Sequence, residues 1–203
     1  MSKDAYPLPM IDVCLDALAG ASWFSTFDLR SGYHQVEMDP RDADKITLAT
    51  RRGTFRFKVM PFGLCNAPAT FQRLMNVALA GLDSQVCLVY LDDIIVHSVD
   101  LESHLVRLDR LLTRLVAAGL KLKVFKCQMF QREVAFLGHR VNADDLSTDP
   151  MKVAAVADWP VPCCLLDVRS FLGLCSYYRK FVEGFSEIAA HLHALTQKKA
   201  RFC

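Results

Sequence analysis

Between Val86 and Val96 every residue is apolar or aromatic except one adjacent pair, Asp92 and Asp93. The flanks, Val86-Cys87-Leu88-Val89-Tyr90 and Ile94-Ile95-Val96, are β-formers, so the stretch predicts two strands meeting at a tight turn. A fold that buries this hairpin carries two carboxylates in with it. An unpaired carboxylate is costly to desolvate, and two side by side repel each other. Such a pair persists where something positive neutralises it, and a divalent cation with hard oxygen ligands, Mg²⁺ above all, is the usual answer.

A third carboxylate is available. Asp28 ends the strand-like run Trp23-Phe24-Ser25-Thr26-Phe27. If that strand lies beside the hairpin, Asp28 and Asp92 converge. Three carboxylates can hold two Mg²⁺ ions roughly 3.5–4 Å apart, the arrangement used for in-line phosphoryl transfer. The residues alone leave a plainer alternative open. Paired aspartates are ordinary turn chemistry, and Asp28 could cap the turn before Gly32.

The rest of the chain predicts an α+β domain. A short helix is expected over 12–18, strands over 45–50 and 54–59 around Arg52-Gly53, a loop over 60–68 and a helix over 69–79. Leu101, Leu105, Leu108, Leu112 and Leu115 mark an amphipathic helix that Gly119 ends. Strands are expected over 120–123 and 134–140. Near Pro150 the pattern turns helical, over 151–159 and 167–185, which sets a boundary near residue 148.

Composition excludes little. The chain has 203 residues, 52% hydrophobic and 23% charged, with a formal net charge of +2, too small to announce a nucleic-acid partner. The basic clusters Arg51-Arg52-Arg56-Lys58, Lys121-Lys123-Lys126 and Lys198-Lys199-Arg201 read as solvated faces. No apolar run approaches the roughly 18 residues of a membrane span, and no secretory signal opens the chain, so an intracellular protein is expected. The eight cysteines form no C-x-x-C pair and read as reduced core residues. Cys163 and Cys164 with His191 and His193 match no zinc-finger spacing.

Longer words carry a resemblance. Phe27-Asp28-Leu29-Arg30-Ser31-Gly32-Tyr33-His34-Gln35 resembles the first palm motif of gypsy-type LTR-retrotransposon reverse transcriptases. The segment from Met60-Pro61-Phe62-Gly63 to Thr70-Phe71-Gln72 resembles their second motif, and Tyr90-Leu91-Asp92-Asp93 their third, the Tyr-x-Asp-Asp box. Gly119 to Cys127 is similar to the fourth and Phe136-Leu137-Gly138-His139 to the fifth, the primer grip. Arg169 to Leu174, Tyr177 to Phe181 and Phe185-Ser186 resemble the thumb and connection that follow. Five motifs in order are a far more specific signal than any one of them.

The resemblance implies a fold, a reaction and residue roles. The fold is an α+β reverse-transcriptase palm over 1–148, an antiparallel sheet with helices on one face, then a helical thumb and start of the connection over 149–203. The reaction is RNA-directed DNA polymerisation: nucleotidyl transfer from dNTP to a primer 3′-hydroxyl with two Mg²⁺ ions, for which Mn²⁺ can substitute. Asp28, Asp92 and Asp93 are the implied metal-binding catalytic carboxylates, and Lys126 the general acid for the departing pyrophosphate. Tyr33 is the implied steric gate against a ribose 2′-hydroxyl. Leu29 backbone lines the triphosphate, Phe62 and Gly63 the nucleotide and template pocket, Leu91 a sugar, and Gln72 the template side. Phe136, Leu137 and Gly138 hold the primer end.

Implied partners are an RNA or DNA template with its primer, dNTPs, and the fingers, RNase H and integrase regions of a longer Pol polyprotein, with no membrane. The implied location is a cytoplasmic virus-like particle or the nucleus. The family places a fingers segment ahead of Tyr6-Pro7-Leu8-Pro9, and fingers are expected to be largely missing here. Lys123-Val124-Phe125-Lys126 also departs from the proline and acidic or polar residue common in relatives. A catalytically inactive or domesticated remnant that at most binds nucleic acid is the competing expectation.

Overall fold

A computed structural model describes residues 3–82 and 85–197. The C-terminal basic cluster Lys198, Lys199 and Arg201, and Cys203, lie outside the described residues. The chain divides into two compact units, Met1–Leu137 with Val141–Asp145, and Gly138–Arg140 with Leu146–Cys203.

The first unit is built on an antiparallel sheet in the order β4-β5-β1-β6, formed by β1 (Trp23–Asp28), β4 (Cys87–Tyr90), β5 (Asp93–Ser98) and β6 (Gln128–Gln131). β4 and β5 are the expected hairpin. β5 lies centrally between β4 and β1, so Ile94, Ile95 and Val96 are fully buried. Helices α3 (Ala67–Ala78) and α4 (Leu101–Ala117) join the sheet in one apolar cluster that includes Phe27, Phe71, Met75, Ile94, Val96, Leu108 and Leu111. Each such large side chain removed from water contributes roughly 1.5–3 kcal/mol. The short helices α1 (Ile11–Asp16) and α2 (Pro40–Ala43) and a separate hairpin of β2 (Thr47–Thr50) and β3 (Gly53–Arg56) complete the N-terminal part.

The ends of α4 follow from its sequence. The Asp100 carboxylate accepts a hydrogen bond from the Ser103 amide at 2.8 Å, and Gly119 takes a left-handed φ of 68° past its C-terminus. The buried stripe differs from the leucine pattern. Leu101 and Leu105 are exposed, and His104 takes their place inside with Leu108, Leu111 and Leu115. A histidine tolerates that position because both ring nitrogens are satisfied: Nε2 pairs with Ser25 Oγ at 2.8 Å and Nδ1 with Ser98 Oγ at 2.9 Å.

Other boundaries also move. α3 starts at Ala67 and takes in Pro68, whose missing amide hydrogen costs nothing in a first turn. Residues 120–123 contribute only an isolated bridge, Leu29 to Leu122. The unexpected β6 pairs with β1 through an irregular register, and Phe130, at a φ of 55°, gives its amide hydrogen to Ser25 Oγ at 3.0 Å. The single strand expected over 134–140 is two, β7 (Glu133–Phe136) and β8 (His139–Asn142), parted where Leu137 and Gly138 both take positive φ.

After β9 (Leu146–Thr148), the second unit holds α5 (Pro150–Ala157), α6 (Leu165–Tyr177) and α7 (Phe185–Leu195). The long helix expected over 167–185 stops at Tyr177, and α7 begins anew after Gly184 at a φ of 66°. Val168, Leu172 and Ala189 form this unit's small core with Phe185 and Leu192. No disulfide joins the seven described cysteines, and of these only Cys14 and Cys87 are buried; Cys65, Cys163 and Cys164 are exposed, so the expected core role holds for the first two alone. No helix among the described residues is long and apolar enough to cross a membrane.

Candidate active site

The register of the sheet fixes the first two carboxylates. β1 and β5 pair from Trp23 opposite Ser98 to Asp28 opposite Asp93, which puts those two aspartates side by side at one end of the sheet. Asp92 precedes Asp93 in the turn between β4 and β5. The sequence suggested that the pair would be drawn into the core. Instead the turn delivers both aspartates to solvent, while the apolar residues after them are buried.

That turn is held from beneath. Leu91 adopts a left-handed φ of 55°, a conformation unfavourable for a side chain with a Cβ. Its amide donates to Gln72 Oε1 at 2.8 Å. Gln72 is fully buried, and its Nε2 donates to Asn76 Oδ1 at 3.0 Å and towards Val89 O at 3.5 Å. Gln72 was expected on the template side. Burial and a fully engaged amide make it a brace for the Asp92 turn instead. On the other flank, a Cβ on Gly32 would lie 2.9 Å from Phe71 Cζ and 3.3 Å from Asp92 Cβ. Glycine is therefore required there by space, so that the backbone past Asp28 can pass close to the Asp92 turn.

The electrostatics tie the three carboxylates together. The packing under the Asp93 carboxyl raises its pKa, and the charges of Asp92 and Asp28 raise it further, opposed by Lys126. Lys126 lies on the 3₁₀ turn Val124–Lys126, anchored where the Lys123 amide donates to Asp28 O at 2.8 Å. Its Nζ lies 2.9 Å from Asp28 Oδ2, and this bond, with the Asp28 charge, raises the Lys126 pKa. Among the described residues no three His, Cys, Asp or Glu side chains converge tightly enough to grip an ion as they stand. The donor set nevertheless suits a hard divalent cation, being all carboxylate oxygen, mutually repelling and open to solvent. The counter-cation of Asp28 is Lys126.

Tyr33 packs against the same end. Its ring centroid lies 5.2 Å from that of Phe62 and 5.3 Å from that of Phe71, and burial followed by the charge of Asp92 raises its phenol pKa. Phe62 is exposed and also meets the His34 ring at 5.1 Å, while Gly63 turns the chain with a φ of 89°. Leu29 is brought next to Asp28, but its side chain is buried in the core, leaving only backbone for a ligand. A cavity of about 360 Å³ opens among Asp28, Asp93, Phe125, Lys126, Phe136 and Leu137. Gly138 lies in the second unit, where an added Cβ would sit 3.0 Å from Tyr178 Oη.

Sequence reading missed three contributors: Gln72 as a brace, Gly32 as a spacing requirement, and Phe125 at the cavity mouth. Gln72 and Gly32 stood in the sequence only as letters of the motifs, and Phe125 only as part of Lys123-Val124-Phe125-Lys126, the segment that departs from the resemblance.

An antiparallel sheet with a carboxylate ending β1 and a carboxylate pair in the β4–β5 turn defines the class. The family model described as "Reverse transcriptase (RNA-dependent DNA polymerase)" matches residues 1–141, and the chain belongs to that family. Within it the gypsy-type branch stands out. The chain is 42% identical over 198 residues to the retrovirus-related Pol polyprotein from transposon 297 of Drosophila melanogaster, covering 98% of this chain and 19% of that one. It is 39% identical over 186 residues to the corresponding polyprotein from transposon gypsy of the same fly, covering 92% and 18%. The chain thus spans about one fifth of these relatives' length. Among solved structures, the fold matches the foamy viral protease-reverse transcriptase dRH in complex with double-stranded DNA, with a TM-score of 0.87 at 24% identity over 96% of this chain and 34% of that one.

Proposed function

We propose that residues 1–148 form the palm, and residues 149–203 the thumb and start of the connection, of a retrotransposon polymerase that copies an RNA or DNA template by adding dNTPs to a primer. The observation that carries this reading is the pairing of Asp28 with Asp93 across β1 and β5, with Asp92 beside them on a braced turn. In the reaction the primer 3′-oxygen bonds to the α-phosphorus of the dNTP, the α–β phosphoanhydride bond breaks, and pyrophosphate leaves.

Asp28, Asp92 and Asp93 would hold the divalent ions, which lower the pKa of the attacking hydroxyl and neutralise the transferring phosphate. Lys126 then has two jobs in sequence. It neutralises Asp28 at 2.9 Å before the reaction, and it carries the proton that would pass to the departing pyrophosphate; the Asp28 contact that raises its pKa holds that proton back until the pair opens. Tyr33, wedged between Phe62 and Phe71 beside Asp92, presents a fixed ring edge to the sugar of the incoming nucleotide. Nucleic acid as ligand is supported by the foamy viral protease-reverse transcriptase structures of similar fold, which are in complex with an RNA/DNA hybrid or double-stranded DNA.

The test is primer extension on an RNA template alongside Asp92→Asn. The variant is expected to bind primer–template as the parent does and to lose extension by at least about 100-fold. Binding without extension in both proteins would favour the inactive remnant. Tyr33→Ala is expected to narrow dNTP/rNTP discrimination, read from the ratio of kcat/KM values; an unchanged ratio removes Tyr33 from the gate.

A further inference from the structure

The 3₁₀ turn that carries Lys126 also carries an exposed aromatic ring that the chemistry above does not use. Phe125 is 84% exposed, among the most exposed large apolar side chains of the described residues. It is not on a remote surface. It borders the cavity of about 360 Å³ that Asp28, Asp93, Lys126, Phe136 and Leu137 also line. Its backbone is fixed from both ends: the Lys123 amide donates to Asp28 O at 2.8 Å, and the Lys126 amide to Lys123 O at 2.8 Å. The Lys123 ammonium lies 5.0 Å from the Phe125 ring centroid, a cation–π contact that orients the ring and adds positive charge behind it.

An apolar ring left in water on a fixed backbone, next to a lysine and at the edge of a carboxylate site, has the makings of a stacking surface. Aromatic rings paired with basic side chains are the general means of holding the flat face of a base without reading its sequence. A saturated apolar partner would be served as well by Val124, which is 78% exposed on the same turn but lines none of this cavity.

We propose that Phe125, backed by Lys123, stacks on a nucleobase at the reaction centre and thereby positions the nucleotide whose phosphate or hydroxyl reaches Asp28 and Asp93. This rests on the polymerase reading. Phe125 is a positioning residue, since it offers no group to the reacting atoms. The base belongs either to the 3′-terminal nucleotide of the primer or to the incoming dNTP.

Two measurements on the full chain distinguish these sources. Fluorescence anisotropy gives the Kd for a labelled primer–template, and steady-state extension gives KM for dNTP separately from kcat. Because the side chain is exposed, Phe125→Ala is expected to leave the unfolding midpoint unchanged. It is expected to raise one of the two constants about tenfold or more. A rise in Kd assigns the base to the primer, and a rise in KM with kcat retained assigns it to the dNTP. Phe125→Trp is expected to restore the affected constant, and Phe125→Leu, apolar but not aromatic, is not. Unchanged Kd and KM in Phe125→Ala, or full rescue by leucine, overturns the proposal while leaving the polymerase reading intact. A parent chain that binds no primer–template overturns both.

Discussion

Gln72 shows how much of this site depends on one uncharged side chain. It satisfies the amide of Leu91, the residue whose left-handed backbone aims Asp92 and Asp93 outward. Gln72→Leu keeps the volume but strands the Leu91 amide and Asn76 Oδ1. Leaving such groups unpaired costs about 1–3 kcal/mol, to be read as a lower urea midpoint. Asp93 is expected to behave in the opposite sense. Its folded pKa is raised, so the folded state holds the proton longer than the unfolded state, and stability falls as pH rises from the unfolded carboxylate range through the folded value. Asp93→Asn removes that loss and is expected to unfold at a slightly higher temperature at neutral pH while losing extension. The gain is small because water screens an exposed carboxylate. The clustering of the aspartates was legible in the sequence, because an acidic pair in an apolar hairpin is conspicuous. Gln72 was legible only as a motif letter, since its partners, Leu91 and Val89, are distant in sequence and reveal themselves only when α3 packs under the turn.

At the scale of elements, α4 is joined to the sheet by a directional chain of hydrogen bonds. Ser98 Oγ donates to Asp100 O at 2.8 Å, so it accepts from His104 Nδ1–H. Ser25 Oγ accepts from the Phe130 amide and keeps its own hydrogen to give to His104 Nε2 when the ring is neutral. The network fixes a hydrogen on Nδ1 and accommodates the neutral ring, and it ties β1, β5, β6 and α4 together. Burial, with the nearby charges of Arg107 and His97, lowers the His104 pKa. The unfolded chain therefore binds the proton more readily. The stability this histidine contributes is complete above its unfolded pKa of about 6.5 and is lost as pH falls below that value. Urea midpoints measured from pH 7.5 to 5 are expected to fall for the parent and to fall less for His104→Leu. The leucine pattern correctly announced a helix over 101–117 but pointed its stripe through Leu101 and Leu105, because periodicity cannot register that two serines elsewhere are waiting for an imidazole. β6 escaped altogether: Gln-Met-Phe-Gln is exposed throughout and bulged, so no alternation marks it.

For the whole molecule, the small net charge of +2 conceals how the charge is used. Some basic residues are already committed: Lys126 to Asp28, Arg73 to Asp4 at 2.8 Å, and Arg56 to Asp44 at 2.6 Å. If primer–template is the ligand, its phosphates must draw on the remaining lysines and arginines and on pairs that open. Each neutralised phosphate steepens the salt dependence by about 0.9 in the log–log slope. A slope steeper than about −3 between 50 and 200 mM salt is expected from anisotropy titrations, and a flat response would argue against a nucleic-acid face. The order of the elements was readable over most of the chain, and the family words gave it a single topology. The two-unit division was only roughly readable, because the chain changes units at Gly138 and again at Val141 and Leu146, inside a strand run with no break in composition.

The most direct measurement is incorporation of radiolabelled dTTP by the purified 203-residue chain on a poly(rA) template with an oligo(dT) primer, with Mg²⁺ and then with excess EDTA. The three clustered carboxylates predict incorporation that requires the cation and disappears in Asp92→Asn. A folded chain that binds the primer–template yet incorporates nothing with Mg²⁺ or Mn²⁺, or one that incorporates equally well as Asp92→Asn, would contradict the assignment of Asp28, Asp92 and Asp93 as its catalytic centre.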